Sequence, residues 1–402
     1  MLNINSFRFG HEGYYFNTVA IENNLEDRGS WTKHAGSTLG LEGEVTLLQF
    51  RNLLSGIDPY SGQPLEEFLS KRKIAAYDFV FSAPKSVSLV GLATDSKIES
   101  TVKAAHDKAV VEAMDYFEST CLSVRRSENG RRLYLKTSGA LGAQFFHRTS
   151  RLSDPHLHSH VVIANLAQGL DGKWSGASIY PAFFLKKQIS MIYHTNLRHE
   201  LTKNLNVSWD RFRFGLAEIK GIPNEAIFVF SQRRQQLMKS FYDKAIDIEY
   251  FINNKADLDP KYLRPTKNKS YDLNHLKEVW GQTLCSLGLE KTTLLEKIEK
   301  SNHRNIDDNE SIPLYIKDLI GEIPKDKSCQ YPWKKAASQI EIYRKNWNIT
   351  DSSRPLGASK FELLSDPDFS LTRLNELKNV ENSVRDVSKS VEKSRDLSFG
   401  IK

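Results

Sequence analysis

Four of the eleven histidines fall within residues 144–165: His147, His156, His158 and His160. The last three alternate, and the β-branched, apolar Val161, Val162, Ile163 and Ala164 follow them, which reads as a buried strand. Along a strand, side chains at i and i+2 share a face about 7 Å apart, and those at i and i+4 about 13 Å apart. With metal–nitrogen distances near ~2.1 Å, one ion can hold two neighbours of the alternating set but not all three. Pro155 puts His156 at the strand entry, which favours His158 and His160 as the pair. His147 ends another apolar stretch (Ala143, Phe145, Phe146), and an antiparallel partner strand can bring it to the same ion. Three neutral nitrogens suit Zn, Mn, Ni or Co better than Ca and leave coordination positions open. The plain alternative is a set of surface histidines on a strand edge.

Three further groups carry chemistry. Gly13-Tyr14-Tyr15-Phe16 is either a packing cluster or the source of a phenolic nucleophile, whose oxyanion can attack phosphorus once a base or metal offsets a pKa near ~10. Asp78 stands amid apolar neighbours in the alternating, aromatic run 75–82. It either faces water at a strand edge or orients a ligand histidine and helps to deprotonate a nucleophile. Lys85 follows closely in Ala83-Pro84-Lys85-Ser86. Arg125, Arg126, Arg131 and Arg132 crowd the tip of a hairpin expected over 122–137, with Asn129-Gly130 suited to a type I′ turn and Tyr134 just beyond. Such a run is a solvated face, or it follows a phosphate backbone and stacks a base.

Other elements must position these groups. Helices are expected over 46–54, 97–119 and 182–205, with helix-like content over 17–33 and turns at 36–43, 58–62 and Asp171-Gly172. A strand is expected over 207–214, and a basic helix over 231–251 that opens with Arg233 and Arg234. A polar loop at 253–271 leads to a helix over 273–298 with Asp272 as N-cap, an acidic linker at 301–311 and a helix over 333–347. Leu377, Val380, Val384, Val387 and Val391 follow 3–4 spacing in the tail, too briefly for an independent coiled coil.

The 402 residues suffice for two or three domains. Lys and Arg total 56 against 49 Asp and Glu, a net charge of +7 that permits nucleic-acid binding without requiring it. Cys121, Cys285 and Cys329 are widely spaced and odd in number, which argues against a disulfide framework or a cysteine zinc site. No apolar run approaches ~20 residues and no signal-peptide pattern opens the sequence, so a cytoplasmic protein without membrane insertion is expected.

Together the motifs resemble the MobF family of conjugative relaxases, in the HUH superfamily of single-strand DNA endonucleases. The resemblance runs from about Gly13 to Ser240. It is carried by Gly13-Tyr14-Tyr15, Leu39-Gly40-Leu41-Glu42-Gly43, Gly56 through Leu65, Asp78 through Ser88, His147 with Asp154-Pro155-His156-Leu157-His158-Ser159-His160 and Asn165, and Glu218-Ile219-Lys220-Gly221-Ile222-Pro223 followed by Phe230-Ser231. It implies an α+β fold, an antiparallel sheet flanked by helices, with a mostly helical C-terminal extension closing over DNA. The expected division is a relaxase domain at 1–255, a helical extension at 256–365 and a polar tail at 366–402.

The resemblance makes His147, His158 and His160 the metal ligands, Tyr14 the nucleophile with Tyr15 as the neighbour that can substitute, and Asp78 the orienting acid. Lys85, Arg125, Arg126, Arg131, Arg132, Arg233 and Arg234 are the expected DNA contacts. The expected cofactor is one divalent ion, Mg or Mn first with Zn, Ni or Co as alternatives, and no ATP. The expected partners are single-stranded or hairpin origin-of-transfer DNA, relaxosome accessory proteins and a secretion coupling protein, with passage to a recipient cell. The implied activity is a strand-specific nick through a 5′-phosphotyrosyl intermediate. A rolling-circle replication initiator, a non-catalytic DNA-hairpin-binding protein and a general metallohydrolase are the alternatives. The sequence departs from the family pattern twice. No tyrosine lies between Tyr15 and Tyr60, where several members carry a second pair, and no G-x-x-x-x-G-K-[ST] loop marks a fused helicase, so a stand-alone relaxase or a fragment is expected.

Overall fold

A computed structural model describes residues 2–10, 13–17, 28–33, 39–66, 72–92, 96–210, 216–236 and 272–289. Its centre is an antiparallel sheet of five strands in the order β1-β3-β7-β6-β2. These are β1 (Leu2–Phe7), β2 (Ser30–Trp31), β3 (Ala76–Ser82), β6 (Gly142–Thr149) and β7 (Pro155–Ala164). The period-2 alternation of the sequence sorts side chains onto two faces. Phe79, Phe81, Phe146, Leu157, Val161 and Ile163 face one side and join the larger core. There they meet α3 (Lys85–Leu92), the long α4 (Ser96–Cys121) and α6 (Lys186–Leu205). Ala76, Ala143, Phe145, Val162 and Ala164 face the other side and join a smaller core with Tyr15, Trp31, Phe50 and Leu53. That layer comes from α1 (Gly13–Asn17), β2 and α2 (Leu47–Ser55), which opens with a capping box between Thr46 and Gln49.

The hairpin β4 (Ser123–Glu128) and β5 (Arg131–Leu135) forms a separate small sheet with β10 (Ala177–Ser178). Asn129 and Gly130 both have positive φ, 50° and 74°, as the type I′ turn requires. Two-residue strands β8 (Ala167–Gln168) and β9 (Trp174–Ser175) pair beside it. The remaining helices are α5 (Tyr180–Phe184), α7 (Asn224–Val229) and α8 (Leu273–Ser286). Leu276, Trp280 and Leu284 place α8 in the larger core, with Asp272 as its N-cap as expected.

Four expectations are corrected. The helix expected over 273–298 ends at Ser286, where the chain turns through Leu287 and Gly288 (φ 68°). The helix expected over 182–205 is two helices: Pro181, without an N–H to lose, starts α5 in its first turn, and Leu185 leaves helical geometry (ψ 9°) between α5 and α6. The strand expected over 207–214 is, within the described residues, only a bridge between Trp209 and Ile219, and on the Val207 side the partner turns at Gly221 (φ 91°). Ser30–Trp31 is an edge strand and not part of a helix over 17–33. The chain there passes so close to Phe145 that a Cβ on Gly29 would lie 2.3 Å from the ring. The expectations for 253–271, 301–311, 333–347 and the tail, and for most of 231–251, lie outside the described residues.

Behind the histidine strand, buried His106 of α4 bridges the Tyr193 hydroxyl at 2.7 Å and the Ser159 hydroxyl at 2.8 Å. Burial, with help from Lys103, lowers its pKa from 6.5 to about 3, so the folded protein holds it neutral. An unfolded histidine takes a proton near ~6.5, so the stability from this depressed group is present above that pH and is lost as pH falls toward 3. The urea midpoint of metal-free protein is therefore expected to fall steadily from pH 6.5 downward, and His106→Gln to flatten that slope.

Candidate metal and tyrosine centre

The antiparallel register sets His147 of β6 opposite His158 of β7, and His160 opposite Phe145, two residues before His147. All three imidazoles therefore share the smaller-core face, just where its apolar residues end. Their ring centroids form a near-equilateral triangle with sides of 5.1 Å (His147 to His158), 5.0 Å (His147 to His160) and 5.3 Å (His158 to His160). One nitrogen from each lies within 4.8 Å of the others. Ligand nitrogens around one ion sit about 3.0–3.4 Å apart, so small ring rotations close this set. His156 stacks on His158 with centroids 4.8 Å apart and lies outside the donor group.

The hydrogen bonds fix the tautomers. His158 Nδ1 faces the carbonyl oxygen of His156 at 2.9 Å, and His160 Nδ1 faces both Asp78 oxygens at 2.9 Å. Carbonyl and carboxylate oxygens only accept, so both Nδ1 atoms donate and both Nε2 atoms keep a lone pair for a ligand. Burial, followed by its histidine neighbours, pushes the His158 pKa well down, which keeps it a neutral donor. The chemistry of the set, three imidazoles of which His158 and His160 are oriented by hydrogen bonds, fits one divalent ion with open coordination positions.

Asp78 comes from β3, where it pairs in register with Val162 of β7. It is 7% exposed, and its carboxylate accepts from His160 and from the Tyr15 hydroxyl. These donors offset the cost of burying it. Asp78→Ala is expected to weaken metal affinity by about 10–100-fold, as loss of a ligand histidine's carboxylate partner generally does, measured by calorimetric titration with Mn(II).

The adjacent tyrosines part company. Tyr15 is 5% exposed and stacks on Phe145 at 4.9 Å and 21°. Burial first, then the Asp78 charge, pushes its phenol well above the ordinary range. Tyr14 is 38% exposed, and its ring centroid lies 6.4 Å from that of His160. The reason is local: successive positions in the short helix α1 point in different directions, so only one of the pair can enter the core.

The basic residues separate as well. Arg125, Arg131 and Arg132 are exposed on the hairpin. Arg126 is held within the protein, with Nε and Nη2 donating to the two Asp171 oxygens at 2.7 and 2.8 Å and further bonds to Ser175 and Lys173. Lys85 Nζ donates to the Pro155 carbonyl at 2.7 Å, and burial lowers its pKa to about 8 against the pull of Asp154 and Glu218. It ties α3 to the entry of β7. Arg233 and Arg234 lie in a short helical segment, half-buried and exposed. Beyond the other end of β3, a cleft of about 730 Å³ is lined by Arg72, Tyr77, Arg125, Tyr134, Trp174 and Tyr180 among others.

Sequence reading named Asp154 and Glu218 only within motifs. In the structure Glu218 accepts from the backbone N–H of Ser86 at the start of α3, and Asp154 accepts from Gln232. An Asp directly before a Pro at the head of the histidine strand was the one available signal. No helix among the described residues is long and apolar enough to cross a membrane.

The TrwC relaxase family profile matches residues 8–287. The multifunctional conjugation protein TraI of Escherichia coli is 31% identical over 274 residues, which covers 63% of this chain and 15% of that protein. TraI of Escherichia coli strain K12 is 29% identical over 272 residues, covering 65% and 14%. The chain thus spans about one seventh of the length of these relatives. Among solved structures, the metal-bound conjugative relaxase TrwC in complex with oriT DNA superposes with a TM-score of 0.64 at 27% identity, over 72% of this chain and 100% of that one. TrwC complexed with a 27-mer DNA comprising the recognition hairpin and the cleavage site gives 0.62 at 28% identity, with the same coverage. The match covers both tyrosines, Asp78 and all three histidines, and the chain belongs to the TrwC relaxase family.

Proposed function

We propose that this chain nicks one strand of origin-of-transfer DNA by attack of Tyr14 on a phosphodiester and later rejoins strands at the same site. One observation carries the reading: the exposed ring of Tyr14 stands 6.4 Å from that of His160, one of three imidazoles gathered on one face of the sheet. His147, His158 and His160 would hold a divalent ion, Mn or Mg first, with Zn, Ni or Co as alternatives. When bound there, such an ion supplies Lewis-acid polarisation of a phosphate's non-bridging oxygens.

The protein's own residues do the rest. The Tyr14 oxygen forms the new bond to phosphorus as the P–O3′ bond breaks. The phenol proton passes to solvent and the departing 3′ oxygen takes one up, leaving a free 3′-hydroxyl and a 5′-phosphotyrosyl enzyme. One phosphodiester replaces another, so the step is reversible without ATP. Asp78 holds His160, and its contact with Tyr15 favours this orienting role over receipt of the Tyr14 proton. Tyr15 positions Asp78 from within the core. Arg125, Arg131 and Arg132, with Tyr134 beside them, would supply salt-dependent contacts to a DNA hairpin, and Arg233 and Arg234 would extend that surface. Arg126 and Lys85 would act there through the elements they fasten. Relaxosome accessory proteins, a coupling protein, a bacterial cytoplasmic setting and passage to a recipient cell belong to the same reading.

The test is incubation of the protein with a single-stranded oligonucleotide carrying its origin hairpin and nick region, with Mn(II) or Mg(II). A protein–DNA adduct on a denaturing gel that EDTA suppresses is expected. Binding that ignores EDTA and never yields an adduct would mark a DNA-binding module instead.

A further inference from the structure

The turn that joins the metal-ligand strands is held from outside by distant parts of the chain. Residues 150–154 connect β6 to β7, so His147 lies on one flank of this turn and His158 and His160 on the other. Ser153 has φ 62°, a left-handed conformation that the turn closes internally, with Ser153 N–H donating to the Ser150 carbonyl and the N–H groups of Leu152 and Asp154 to the Ser150 hydroxyl. Distant groups then hold this turn from outside. Trp280 Nε1 of α8 donates to the Ser153 carbonyl at 2.9 Å. The backbone N–H and side-chain amide of Gln232 donate to the Asp154 carboxylate at 3.0 and 2.8 Å. Lys277, nearly one helical turn before Trp280, donates to Glu99, whose other oxygen accepts from Arg148 Nε at 2.8 Å. Arg148 directly follows His147. Trp280 is 3% exposed, and Leu276 and Leu284 seat the same helix in the core.

We propose that α8 is a positioning element for the metal site: Trp280 and Lys277 fix the β6–β7 turn and so the approach of His147 to His158 and His160. The proposal rests on the metal reading above. Donor atoms up to 4.8 Å apart must close to about 3.0–3.4 Å from one another around an ion. A loosened turn lets the two flanks drift and dilutes the closed arrangement, although no residue of α8 is itself a ligand.

Trp280→Phe keeps an aromatic ring in the core and deletes the N–H, and Lys277→Ala supplies a second variant if the first fails to fold. Two readouts apply to the purified full chain: hydrogen exchange of residues 147–160 without metal, and Mn(II) affinity by calorimetry. Expected are exchange in the turn faster by about 10-fold and Mn(II) affinity weaker by about 10-fold, with any fall in the global unfolding midpoint too small to account for either. Lys277→Arg is expected to restore parental values. Unchanged exchange and affinity in both variants overturn the proposal, as does an affinity loss that only tracks a fallen midpoint. A parent that takes up no Mn(II) overturns the metal reading and this inference with it, and is told apart because turn exchange still responds to Trp280→Phe.

Discussion

Tyr14→Phe is expected to abolish the covalent adduct, lowering its rate of formation by at least about 10³-fold, because no other group at that position can supply the attacking oxygen. The substitution deletes one hydroxyl from a side chain that is 38% exposed, so stability is expected to change by less than about 0.5 kcal/mol. Non-covalent affinity for the oligonucleotide and for Mn(II) is expected to persist, which separates loss of chemistry from loss of binding. Tyr15→Phe gives the complementary pattern. It removes a donor to the buried Asp78 and is expected to cost about 1–3 kcal/mol of stability, with weaker metal affinity, yet the adduct still forms. Denaturing gels, urea titration and calorimetry on the two variants decide the matter. An adduct from Tyr14→Phe with none from Tyr15→Phe would reverse the assignment.

His160→Ala is expected to lower Mn(II) affinity by at least about 10²-fold, in line with roughly 10–16 kcal/mol shared among four ligands in a zinc site. It removes a donor and also strips Asp78 of its imidazole partner, leaving a carboxylate that is 7% exposed with fewer hydrogen bonds. A loss of about 1–3 kcal/mol in stability is therefore expected as well. His156→Ala is the control. It sits on the same strand face and stacks on His158, but contributes no atom to the donor group. Its metal affinity is expected to stay within a few-fold of the parent. Equal losses from the two variants would mean that the strand's fold, and not its donor geometry, governs binding.

Sequence and structure agree best where local period decides the outcome. Alternation placed the histidines on one strand face and limited an ion to two of His156, His158 and His160. The register then brought His147 opposite His158. Asn129-Gly130 marked its hairpin because type I′ geometry needs residues that tolerate positive φ. Where the outcome depends on partners remote in sequence, the local pattern was silent or misleading. Arg126 looked like its arginine neighbours until Asp171, 45 residues on, engaged its guanidinium. Among the described residues the strand reading at 207–214 found only the Trp209–Ile219 bridge, and the helix reading at 17–33 met the close pass of Gly29 against Phe145.

Residue type and spacing alone therefore marked the alternating histidine strand, favoured His158 and His160 as its neighbouring donors and offered a pair of tyrosines, while the sheet-and-helix class came with the family resemblance. Period and turn chemistry are properties of a few neighbouring residues and can be read there. Which tyrosine faces outward, what holds Asp78, and what fastens the turn between the ligand strands were decided by the tertiary structure. Those answers depend on Phe145, His160 and Trp280, residues brought together only when the sheet closes and its two faces are covered.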